Sequence, residues 1–192
     1  MQPNQLIQTE RLVLRASHPD LAQHCVKFYL INQEHLAPWN PVLSRELFTE
    51  EGQQVRLAQA HGAFLAGTSW RWHLLDPSQT EMLGVVQYSQ IHRGGFQSAM
   101  LGYSLAKSAE GKGMMAESLS ATIAEVFSER GRLHRIQANV VPANTRSLNL
   151  LVRLGFVNEG LAKNYLYIDG QWRDHVMHSL INPDFDVSWL GF

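Results

Sequence analysis

Between an apolar run at Leu101–Leu105 and an amphipathic run opening at Met114, the connector Lys107-Ser-Ala-Glu110-Gly111-Lys112-Gly113 has the residue types that hold anions. Gly111 and Gly113 carry no side chain, so a ligand can approach the main chain there. The first N–H groups of a following helix lack intrahelical partners and, with the helix dipole, make an anion site that needs no formal charge. Lys112 adds a cation. A ligand-free strand-to-helix turn has the same composition, so the loop alone leaves both possibilities open. Further along, Asn139, Asn144 and Ser147 are short polar groups suited to amide recognition or proton transfer. Each also has a structural role available: Asn139 as a strand end, Asn144 as a helix N-cap, and Ser147 as a first-turn serine supporting that cap.

Two phosphate-binding patterns fail against these residues. A Walker loop needs a hydroxyl after its lysine to hold magnesium, and Lys112 is followed by Gly113. A dinucleotide fingerprint is satisfied by Gly111-x-Gly113-x-x-Ala116, but it requires an acidic residue about 20 positions on, at the end of the next strand. That strand ends Asn139-Val140-Val141-Pro142.

A third pattern fits better. Leu101-Gly-Tyr-Ser-Leu105 followed by Glu110-Gly-Lys-Gly-Met-Met115 resembles the pyrophosphate loop of the GNAT N-acetyltransferases, Gln/Arg-x-x-Gly-x-Gly/Ala, with Glu110 in place of the first residue and Met115 of the last. Asn139-Val-Val-Pro-Ala-Asn144-Thr-Arg-Ser147 with Leu154-Gly155-Phe156 resembles the second cofactor segment of that family. Ile168-Asp-Gly-Gln-Trp-Arg-Asp-His175 is similar to the ending of its ribosomal-protein-alanine (RimJ/RimL-like) branch. With Thr9-Glu10-Arg11-Leu12 and Pro38-Trp39-Asn40-Pro41, the resemblance runs from about residue 9 to 181.

The resemblance implies direct transfer of an acetyl group from acetyl-CoA to an amine, with no metal and no covalent enzyme intermediate. Leu101, Gly102, Tyr103, Ser104 and Leu105 are then expected to pair through their backbone with the pantetheine amides, as an added strand does. An N–H near Leu101 or Gly102 is expected to polarise the thioester carbonyl. Glu110, Gly111, Lys112, Gly113, Met114 and Met115 are expected to seat the pyrophosphate, and Asn139 and Asn144 the pantetheine arm. Many relatives protonate the departing thiolate with a tyrosine. Counting back from Gly155-Phe156 puts Leu151 at that tyrosine position and Ser147 at a nearby alanine position, so Ser147 is the expected acid.

The implied acceptor is a protein N-terminal α-amine, that of a ribosomal protein alanine. Such an amine has a pKa near 7.7 to 8.0 and is about one-tenth neutral at pH 7, so a strong base is dispensable. Water relayed to Asp174, Glu159 or His134 is a candidate proton acceptor. Trp39, Tyr165, Tyr167, Trp172 and Asp174 are candidate walls of the acceptor pocket. A polyamine, an antibiotic or a lysine side chain are alternative acceptors, and Leu151 in place of tyrosine keeps a non-catalytic acyl-CoA-binding module in play.

These residues need elements to position them. The pattern reads as a strand over Gln8 to Ala16, a helix from Pro19 to about Leu30, and a proline-braced loop over His35 to Pro41. A second helix follows, capped by Thr49 and ended by Gly67. Strands over Ser69–Leu75, Met82–Ile91 and Gln97–Leu105 form a meander. A helix then runs over Met114–Arg130, with Met115, Leu119, Ile123 and Phe127 on one face and Gly131 as its C-cap. After a strand over Arg135–Val141, Asn144 caps a helix to Leu154. Asp169-Gly170 is a two-residue hairpin turn that pairs Ile168 with Gln171, Tyr167 with Trp172 and Tyr165 with Asp174.

The expectation is one mixed α/β (α+β) domain over residues 1–192, with a mostly antiparallel sheet, a splayed central strand pair and flanking helices, and a tail over 183–192 carrying Phe185, Trp189, Leu190 and Phe192. At 192 residues, 45% hydrophobic and 17% charged, the chain has a globular composition and core size. Sixteen Lys+Arg against 17 Asp+Glu leaves a net charge of -1, which argues against binding nucleic acid or anionic lipid by bulk charge. A single cysteine, Cys25, excludes an internal disulfide. His175 and His178 lie three apart, which points them to opposite faces of a strand rather than to one metal. No signal segment or apolar span is read, so the cytoplasm is the expected location.

Overall fold

The structure, a computed structural model, describes residues 2–191. Eight strands form one sheet: β1 (Leu6–Gln8), β2 (Val13–Ala16), β3 (Trp70–Leu75), β4 (Met82–His92), β5 (Ser98–Leu105), β6 (Arg135–Val140), β7 (Val157–Ile168) and β8 (Gln171–Ile181). Their spatial order is β1-β2-β3-β4-β5-β6-β8-β7, and every pair is antiparallel except β5 with β6. Four helices flank it: α1 (Ala22–Leu36), α2 (Glu50–Ala66), α3 (Met114–Phe127) and α4 (Thr145–Arg153). This is the mixed α/β architecture that the element pattern predicts.

The caps sit where local chemistry puts them. Thr49 accepts the Gly52 N–H to open α2, and Gly67 closes it at φ 71°, a left-handed conformation that glycine adopts at no steric cost. The sheet buries Trp70, Trp72, Leu74, Val86 and Tyr88. Tyr88 reaches α3 through Thr122, hydroxyl to hydroxyl, at 3.0 Å. On α1, Cys25 lies 3.6 Å from His73 of β3.

Several boundaries differ from the sequence expectation. The first strand is a hairpin: Thr9 N–H bonds Leu12 C=O, splitting the stretch into β1 and β2. Helix α1 continues to Leu36, and His35–Pro41 is its last turn followed by a 3₁₀ turn at Ala37–Trp39 rather than an open loop. Helix α3 stops at Phe127 because the backbone turns out at Ser128. Gly131 is not its cap; a Cβ there would lie 2.2 Å from the Val126 carbonyl oxygen, so close backbone contact is what requires glycine.

In the last hairpin Asp169 and Gly170 both have positive φ, and Ile168–Gln171 and Tyr167–Trp172 pair as expected. Tyr165 does not face Asp174. After Leu166–Arg173 the next pair is Ala162–His175, and the excess residues of β7 bulge at Asn164, φ 49°, whose N–H bonds Asp174 Oδ1 at 2.8 Å. In the tail, Phe185 packs edge-on to His134 at 5.2 Å and Trp189 on Phe185 at 5.4 Å, so it folds back. Phe192 lies outside the described residues. Among the described residues no helix is long and apolar enough to cross a membrane.

Candidate functional site

The parallel pair β5–β6 holds only from Ser98 to Leu101, opposite Arg135 to Ala138. Beyond it the two strands part. Gly102–Leu105 stay paired to β4, and Asn139 and Val140 to β8, so their other edges face a gap. A cleft of about 1630 Å³ opens there. Its walls include Leu101, Gly102, Tyr103, Ser104, Leu105, Glu110, Gly111, Gly113, Met114, Met115, Asn139, Asn144, Ser147 and Trp39. A Cβ built on Gly102 or Gly111 meets nothing within 4 Å, so the bare backbone borders open space at both.

Five expected residues, Tyr167 among them, lie elsewhere. Lys112 does not line the cleft; its carbonyl accepts from Arg11 Nη1 at 2.8 Å, which turns the residue into a loop anchor. Trp172 is 59% exposed and packs on Tyr167 at the hairpin tip. Asp174 ties down the β7 bulge. Tyr165 stands just behind the wall, its hydroxyl accepting from Asn139 Nδ2 at 2.8 Å and its ring 5.1 Å from His175. Of the three proton-acceptor candidates none lines the cleft. Glu159 is held by Arg135 and Ser179, and His134 by the tail.

The loop before α3 is braced from the N-terminus. Glu117 accepts from Thr9 Oγ1 at 2.6 Å, Arg11 N–H at 2.9 Å and Arg11 Nε at 2.8 Å, while Arg11 also holds the Lys112 carbonyl. That is the physical content of the Thr9-Glu-Arg-Leu12 motif. Gly111 and Gly113 sit at φ 74° and 77°, and no side chain caps the start of α3, so its first amides are available to a ligand. Glu110 is screened: burial pushes its carboxyl up, but hydrogen bonds from Arg146 and Lys107 and the nearby charge of His35 hold it below the usual range. Lys107 Nζ is 3.2 Å and His35 Nε2 3.5 Å away.

At the opposite wall, Ser147 Oγ and the Tyr103 hydroxyl are 2.5 Å apart. Burial pushes the Tyr103 phenol up to about 12, with the Ser147 hydrogen bond opposing, so the pair stays protonated across neutral pH. Asn144 caps α4 by accepting the Ser147 N–H at 3.2 Å, which fixes where Ser147 points and leaves the Asn144 amide NH₂ free. Asn139 is engaged at both ends of its amide, by Tyr165 and by Gln137. Sequence reasoning named Tyr103 for its backbone and missed its hydroxyl, and it missed His175, Arg71 and Gln87, which also line the cleft. Only three-dimensional proximity marks them.

An opened parallel strand pair, free helix N-terminal amides and a hydroxyl pair in one cleft define a class, and the family comparison agrees: residues 11–157 match the acetyltransferase (GNAT) domain. The chain belongs to that family and is an acetyl-CoA-dependent N-acetyltransferase. It is 41% identical over 183 residues to the [ribosomal protein uS5]-alanine N-acetyltransferase of Escherichia coli K12, covering 95% of this chain and 94% of that enzyme. The structure of ribosomal-protein-S5-alanine acetyltransferase from Vibrio fischeri superposes with a TM-score of 0.91 at 36% identity, over 95% of this chain and 100% of that one. Mycobacterium smegmatis RimJ in complex with CoA-disulfide superposes with a TM-score of 0.86 at 27% identity, over 94% and 90%.

Proposed function

We propose that this chain acetylates the N-terminal α-amine of a ribosomal protein beginning with alanine, in the cytoplasm, using the β5–β6 cleft. The observation that carries the reading is the meeting, in one cleft, of the unpaired edge of Gly102–Leu105 with the Ser147–Tyr103 hydroxyl pair. The 41% identity to an enzyme named for that acceptor supports the choice of substrate.

In this reading the backbone of Leu101 to Leu105 adds the pantetheine amides as a further strand. Gly111, Gly113 and the first amides of α3 hold the pyrophosphate, aided by Lys107 and Arg146, which reach the cleft in place of Lys112. A backbone N–H near Leu101, on the edge of β5 turned away from β4, polarises the thioester carbonyl and supports the oxyanion. The neutral α-amine bonds the carbonyl carbon, the C–S bond breaks with a hydrogen bond from Ser147, backed by Tyr103, on the departing sulfur, and the thiolate takes its proton from water. The proton shed by the amine passes to water, and no carboxylate is needed because the amine is already partly neutral.

The test follows thiol release from acetyl-CoA with peptides bearing a free N-terminal alanine, the same peptides blocked, and lysine and polyamine controls. Release with the free α-amine alone is expected. Release only with lysine or polyamine overturns the acceptor, and no release with any amine overturns catalysis.

A further inference from the structure

Arg71, Gln87 and Gly102 form a cross-strand row: Arg71 pairs with Gln87 between β3 and β4, and Gln87 with Gly102 between β4 and β5. All three line the cleft. Arg71 Nε donates to Gln87 Oε1 at 3.1 Å, Nη2 donates to the same oxygen, and Gln87 Nε2 is braced on Ser69 Oγ at 3.2 Å. A guanidinium has five N–H donors, and these two bonds leave its outer edge without an acceptor among the described residues. Among the described residues the groups that act on its charge are Tyr29, Arg56 and Cys25, and none is a carboxylate. Burial works against this cation and Arg56 adds to the strain, while Tyr29 and Cys25 oppose it in part without supplying a carboxylate counterion. A partly buried cation held at a cleft wall without an anion is costly to the free protein, and an anionic ligand relieves that cost.

We infer that Arg71, aimed by Gln87, binds a carboxylate of the acceptor peptide at position 2, 3 or 4, counting the residue with the reacting amine as 1. The inference rests on the α-amine reading above and deepens it. Neighbouring strands lie about 4.8 Å apart, so the Arg71 backbone is about 10 Å from Gly102, next to Leu101, near which the thioester carbonyl is held in that reading. An extended peptide covers that distance in about three residues at about 3.3 Å each. Gly102, with no side chain, leaves the approach at its end of the row open. The planar fork matches a carboxylate bidentately, which a lysine at this position would not do.

The experiment compares Ala-initiated peptides carrying Glu or Gln at position 2, 3 or 4, read as kcat/KM for thiol release. At one of these positions the unaltered enzyme is expected to favour Glu over Gln by about tenfold or more. Arg71→Gln is expected to bring that ratio to within about twofold and leave KM for acetyl-CoA unchanged, with Arg71→Lys intermediate. If the unaltered enzyme acetylates Glu and Gln peptides equally at all three positions, the Arg71 inference fails and the α-amine reading stands. If it acetylates none of the peptides, the α-amine reading fails and takes the inference with it. The peptide comparison on the unaltered enzyme holds whether or not the variants fold.

Discussion

Replacing Ser147 by alanine removes the hydroxyl that sits 2.5 Å from Tyr103 and faces the cleft. A free thiol has a pKa near 8.5, whereas burial lifts Tyr103 to about 12. The two are about 3.5 pH units apart, so full transfer of the phenol proton to sulfur is uphill by about 5 kcal/mol. The pair must therefore act as a hydrogen-bond donor to charge developing on the sulfur. One hydrogen bond to a charged group contributes about 1.5–3 kcal/mol, so Ser147→Ala is expected to lower kcat by about 10- to 150-fold. KM for acetyl-CoA should move by less than about twofold, because the lost contact strengthens only as the C–S bond breaks. Tyr103→Phe keeps the serine and loses its support, so a smaller loss of about 3- to 10-fold is expected. The double variant should be no slower than Ser147→Ala, since the hydroxyls act in series. Steady-state thiol release with saturating peptide measures all three, and thermal melts check that each is folded. Full turnover by Ser147→Ala refutes the reasoning. So does a fall in kcat matched by a parallel rise in KM for acetyl-CoA, which marks the serine as a binding contact.

Glu117 gathers Thr9 and Arg11 beside the loop before α3, so Glu117→Gln should loosen that loop and raise KM for acetyl-CoA by about fivefold, equivalent to about 1 kcal/mol, with kcat nearly unchanged. An unchanged KM with a lowered melting temperature would assign the contact to stability alone. His73 gives a pH signature: burial, then the charges of Arg71, Arg15 and His24, pull its pKa down from 6.5 to about 3. The folded state keeps it neutral where the unfolded chain is protonated, so its contribution is full above about pH 6.5 and is lost as pH falls toward 3. Urea unfolding between pH 7 and 5 should show a stability loss approaching about 1.4 kcal/mol per pH unit, and His73→Gln should flatten it. An equally steep profile in that variant rules His73 out as the source.

Much of the candidate site was legible before folding because it depends on near neighbours. The glycines of the loop, the Asn144 cap and the Asp169-Gly170 turn act over four residues or fewer, and they stand where the sequence puts them. The site stretches were read from resemblance along the chain, and Leu101–Leu105 and Glu110–Gly111 line the cleft. Lys112 does not line the cleft because a lysine's charge says nothing of which way its stem leaves the backbone, and its carbonyl is held by Arg11, a hundred residues earlier. Asp174 and Tyr165 stand off the cleft wall because one bulge at Asn164 shifted the register of β7 against β8, and a shift of register re-aims every side chain beyond it.

By itself the sequence determined the fold class, the anion-ready loop and the caps that aim Ser147, since those follow from periodicity and from conformations that particular residues favour. Tertiary structure alone decided that Tyr103 meets Ser147 across 44 positions of chain, that Arg71 shares a row with Gln87 and Gly102, and that β5 parts from β6 after Leu101. Those contacts join distant segments, and their geometry is set by strand register and helix packing, which no local preference encodes.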